Sequence, residues 1–67
     1  MNPLTTNMDI REKIYEYDLH YYEVAQVMCM KPSNFSTKLK MSLKDWEKRK
    51  ILEAIETARE KKEASNE

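Results

Sequence analysis

Glycine is absent from this 67-residue chain, proline occurs twice and cysteine once. Tight hairpins depend on glycine and proline at positions of special backbone geometry, so their scarcity argues against a fold of many short strands. A single cysteine rules out an intrachain disulfide and a cysteine-based zinc site. His20 stands without a second histidine, cysteine or aspartate at ligand spacing, and no metal site is expected. There is no apolar run near the roughly 18 residues needed to cross a bilayer, and no signal-peptide pattern follows Met1. The expectation is a soluble, cytoplasmic protein with no membrane partner. No nucleophile–base pairing or glycine-rich phosphate loop is visible either, so neither enzyme chemistry nor a cofactor is expected.

What is present is charge, at 36% of residues. A chain so charged and free of glycine is compositionally helical. Its length allows one domain, and a chain of this size buries only about 60% of its unfolded surface, so association would help it. The net charge is zero, which at first argues against nucleic acid. The distribution argues the other way. Residues 1–30 carry two positive and five negative side chains, residues 51–67 three and five, but residues 31–50 carry seven positive and two negative. A basic stripe on an otherwise acidic domain is an electrostatic footprint for phosphate.

Along the chain, residues 1–6 show no periodicity and read as a flexible arm. The domain proper is expected over 7–62, with 63–67 a frayed tail. Thr6 or Asn7 can cap a first helix, with Asp9 in its first turn. Ile10, Ile14 and Tyr17 then share one face to about residue 18. A second helix is expected over 21–28, where Val24, Ala25 and Met28 form a buried stripe and Ala25 permits close crossing by another helix. Cys29 falls where a turn residue with positive φ, usually glycine, is preferred. Pro32 suits the first turn of a third helix over 32–40, and Met30 and Phe35 stand at the positions of a hydrophobic staple around Lys31. Phe35 and Leu39, four apart, point the same way. Ser42-Leu43-Lys44-Asp45 has the form of a capping box for a last and longest helix, 43–62, with Leu43, Ile51, Leu52, Ile55 and Ala58 on its apolar side.

The expected fold is therefore all-α: a four-helix helix-turn-helix domain with a longer C-terminal helix. Its second helix pair has the layout in which the latter helix enters a DNA major groove. With Phe35 and Leu39 inward, Thr37, Ser33 and Lys40 point outward, flanked by Asn34 and Ser36. These side chains can meet base edges. Serine, asparagine and threonine lower helix propensity with no structural return, so a surface kept for recognition accounts for them better than an ordinary solvated face. Lys31, Lys38, Lys44 and the hydroxyl of Tyr22 are the candidates for backbone phosphates, with Lys48 and Arg49 in the same basic set. Trp46 points away from the Ile51 and Ile55 stripe, and with Leu52 and Ile55 it marks the expected homodimer surface.

At this point the residues resemble the lambda-repressor-like or Cro-like helix-turn-helix regulators of phages and mobile elements. The resemblance runs through Asn7 with Ile10-Arg11, Tyr22-Glu23-Val24-Ala25, Phe35-Ser36-Thr37-Lys38-Leu39 and Lys50-Ile51-Leu52, covering residues 7–58. Two departures are Cys29 in place of the turn glycine and Trp46 in place of an exposed acidic residue. The resemblance implies a transcriptional repressor that binds double-stranded DNA as a dimer on an inverted repeat. Two other readings stay open: a protein-binding inhibitor on the same scaffold, such as an anti-CRISPR or anti-defence protein, and a DNA-bending factor of the excisionase type.

Overall fold

The computed structural model describes residues 7–65 of the chain. The expected N-terminal arm, residues 1–6, lies outside them. Four helices follow one another: α1, Met8–Glu16; α2, Tyr21–Val27; α3, Pro32–Leu39; and α4, Asp45–Ser65. No strand occurs among the described residues, and no helix among them is long and apolar enough to cross a membrane.

The turns are built without glycine. α1 ends with Asp18 at φ 56°, where its N–H donates to the Tyr15 carbonyl at 3.0 Å and the Leu19 N–H to Ile14 at 3.0 Å. α2 ends the same way: Cys29 has φ 58°, its N–H reaches Gln26 at 3.1 Å, and Met30 reaches Ala25 at 3.0 Å. Both are Schellman motifs, which satisfy carbonyls that a helix end would leave orphaned. Aspartate tolerates the left-handed region through its short polar side chain, whereas cysteine has no such compensation. The positive φ expected at position 29 is therefore present.

Helix starts differ from expectation in two places. Asn7 caps α1 by position, but its side chain makes no bond to that helix. The start of α4 is not set by Ser42. The Lys44 N–H donates to the Glu47 carboxylate at 3.2 Å, and the helix opens at Asp45 rather than 43. A glutamate at the third helical position accepting from the cap N–H is half of a capping box, the half that needs no hydroxyl. α2 uses the same device, with the His20 N–H donating to Glu23 at 2.8 Å. At its far end α4 continues to Ser65, past the expected boundary at 62, and Arg59 holds Glu63 at 3.2 Å one turn on.

α2 packs against both α3 and α4, and α1 lies on α4. The core joins Ile10, Ile14, Leu19, Val24, Ala25, Phe35, Leu39, Ile51, Ala54, Ile55 and Ala58. Tyr21 meets the ring of Phe35 edge-on, with centroids 5.9 Å apart. Burying a residue of the Phe35 or Leu39 type is worth about 1.5–3 kcal/mol, so these two anchors fix α3 against the rest of the domain. Met28, Met30, Leu43 and Leu52 pack around the core only partly buried.

A polar clasp ties the end of α1 and the first turn of α2 to α4. The Tyr17 hydroxyl donates to Glu56 at 2.9 Å, and the Arg59 guanidinium sits 4.3 Å from the Tyr17 ring centroid. Lys62 donates to the Asp18 carbonyl and lies 3.9 Å from both the Asp18 and Glu23 carboxylates.

Candidate nucleic-acid interface

Two buried residues on one side of α3 decide what its other side presents. Because Phe35 and Leu39 are both fully buried, Ser33, Asn34, Thr37 and Lys40 are exposed together on the opposite face. Ser36, expected beside them, is half-buried at the edge. The Thr37 hydroxyl donates back to the Ser33 carbonyl at 2.9 Å, which leaves its lone pairs free to accept. Lys31 and Pro32 are exposed at the N-terminal end of this face, and Met41 at the other.

The C-terminal end of α3 is held from a distance. Asn7 Nδ2 donates to the carbonyls of Leu39 at 2.9 Å and Met41 at 2.8 Å. Arg11 Nη2 reaches the same Leu39 carbonyl at 3.3 Å, and its Nη1 donates to the Tyr21 hydroxyl at 3.2 Å. Asn7 at the cap of α1 and Arg11 within it thus supply donors to carbonyls at and just past the end of α3, and the arginine's charge suits the negative end of the helix dipole. Asn7 itself has φ 60°, a conformation asparagine tolerates. This clamp was not visible in the sequence as a feature of α3. Asn7 lies more than thirty residues from Leu39, and locally it reads as a cap for α1.

The expected phosphate contacts fall into two groups. Lys31 and Lys44 are exposed, as is Tyr22, whose ring stacks on His20 with centroids 5.3 Å apart. Lys38 is different, because its ammonium is 3.2 Å from the Glu47 carboxylate. Glu47 in turn accepts from the Lys44 N–H, and this backbone bond, followed by the bond from Lys38, holds its pKa below the usual glutamate value. The first turn of α4 therefore sets a negative group against the basic face. Lys48 is likewise 3.7 Å from Asp9.

Of the three residues expected at a dimer surface, Ile55 is excluded. It is fully buried inside the single chain, because it faces α1 and α2 along with Ile51 and Ala58. Leu52 is partly buried against the same core. Trp46 does face outward, with 57% of its surface exposed and Lys50 5.9 Å from its ring centroid. Among the described residues no group of three histidine, cysteine, aspartate or glutamate side chains is placed to hold a metal ion.

Comparison with protein-family models, characterised proteins and solved structures finds no match to this chain.

Proposed function

We propose that this protein is a sequence-specific DNA-binding regulator that places α3 in the major groove and acts by occupying a promoter. The observation that supports this reading is the build of α3. It is anchored through Phe35 and Leu39, clamped at its end by Asn7 and Arg11, and left with an outer face of short hydrogen-bonding side chains ending in Lys40. Such a helix is rigid where it is held and polar where it is free, as readout of base edges requires. Ser33, Asn34, Thr37 and Lys40 meet bases, Ser36 stands at the margin, and Lys31, Lys44 and Tyr22 meet the phosphates on either side.

The test is binding to DNA upstream of the protein's own gene, across a salt series and with unrelated DNA as competitor. Specific binding survives the competitor and weakens linearly in log–log coordinates as salt rises. Thr37→Ala combined with Lys40→Ala is expected to lower specific affinity at least tenfold, since each good base contact is worth about 1–3 kcal/mol. Unchanged affinity in that variant, with the helical fold intact by circular dichroism, would overturn the assignment of α3 as the reading helix.

A further inference from the structure

The outer side of α4 carries both a projection and a recess. Helical stepping puts Trp46, Lys50, Glu53 and Thr57 on one side of α4, opposite Ile51 and Ile55. Trp46 stands out of this side near the helix start. About two turns further on lies an open groove of about 360 Å³, lined by Lys50, Glu53, Ala54 and Thr57 of α4 and by Val27 and Met28 at the end of α2. Trp46 is not part of its lining, so the chain does not fill its own recess.

Lys50 and Glu53, opposite in charge, are both exposed on this side within one turn of each other. A second α4 laid antiparallel reverses their order. With the two-fold axis between positions 50 and 53, Lys50 faces the partner's Glu53 and the contact occurs twice. The same register brings Trp46 over the partner's Thr57, at the groove floored by Ala54, Val27 and Met28. One axis therefore satisfies the projection, the recess and the charges together, as an isologous contact demands.

We infer that this protein forms a two-fold symmetric dimer through the outer face of α4, with Trp46 of each copy seated in the α2–α4 groove of the other. The inference does not depend on DNA and goes beyond the reading of α3. It also replaces the dimer surface expected from the apolar side of α4, which the core consumes. Tryptophan seated in a partner's pocket is among the side chains most enriched at interface hot spots.

Sedimentation of the purified chain without DNA measures the association, and emission from Trp46, the only tryptophan, reports its environment. The dimer predicts a blue shift of that emission as concentration rises. Trp46→Ala is expected to weaken association roughly 30-fold or more while leaving helical content unchanged. Lys50→Glu and Glu53→Lys, each alone, set like charges opposite one another and are each expected to weaken it roughly tenfold. Mixed in equal amounts, these two variants restore both attractive pairs and should form a heterodimer that neither forms with itself. A chain that stays monomeric up to about 1 mM overturns the inference. So does a dimer indifferent to Trp46→Ala, or one whose two charge variants fail to pair with each other. None of these outcomes touches the DNA experiment, so the two readings fail separately.

Discussion

Glu47 is the residue whose one carboxylate does the most separate things. It caps the backbone at the start of α4 through Lys44 and neutralises Lys38 in the last turn of the proposed reading helix. The second role has a consequence for specificity. A lysine whose ammonium is already paired gives up that partner before it meets a phosphate, so non-specific attraction is weaker than the basic stripe alone implies. Glu47→Gln is expected to tighten binding to unrelated DNA several-fold and to steepen the salt dependence by about one phosphate contact. Fluorescence anisotropy with a random duplex checks both, and an unchanged slope would show that Lys38 does not reach DNA. The same carboxylate gives a pH dependence whose sign follows from its depressed pKa. Its contribution to stability is fully present above the unfolded glutamate value and is lost as pH falls through the lower folded value. Acid unfolding of the glutamine variant should therefore be shallower in that range than that of the parent.

The α2–α3 turn shows what can be read from local pattern and what cannot. Cys29 holds a left-handed conformation that costs a residue with a Cβ about 1–2 kcal/mol, and the Schellman bonds around it fix that geometry. Cys29→Gly removes the steric cost but adds backbone freedom to the unfolded chain, so the net gain is about 0.5–1 kcal/mol. Denaturant titration checks it, and a loss of stability would mean that the cysteine side chain contributes packing its exposure hides. That turn was legible because everything that specifies it is adjacent: Val24 and Ala25 before it, Pro32 after it, Phe35 and Leu39 at helical spacing beyond. All four helices were legible for the same reason, within a few residues at each end. The starts were harder. Ser42 and Asp45 match a capping pattern, yet Glu47 takes the bond, because position three of the helix is counted from a start that only packing against α1 and α2 fixes. Asn7, Arg11 and Glu47 shape the candidate site through partners on other helices. Spacing along the chain carries no trace of such pairs. Ile55 and Leu52 show the remaining gap: both are apolar and three apart, and only the fold decides which faces the core.

At the scale of the whole molecule, a small number of buried side chains has to offset the entropy of ordering four helices. A chain of this length is worth about 3–10 kcal/mol of folding stability at 0.05–0.15 kcal/mol per residue. Phe35 is the largest fully buried side chain, and it belongs to the core cluster while also meeting Tyr21 edge-on. Removing its ring costs about 3–5 kcal/mol, a large share of the total, and in a domain this small that corresponds to a fall in Tm on the order of 20 °C. Leu52→Ala, at a position only partly buried, should cost distinctly less. Thermal melts followed by circular dichroism compare the two. The melts also bear on association, since a ligand that binds only the folded state raises apparent stability with its concentration, and here that ligand is a second copy of the chain. The parent's Tm should rise with protein concentration, and that of Trp46→Ala should not. A Phe35→Ala variant that melts close to the parent at equal concentration would mean that the polar clasp of Tyr17, Glu56, Arg59 and Lys62 holds more of the fold than the core does.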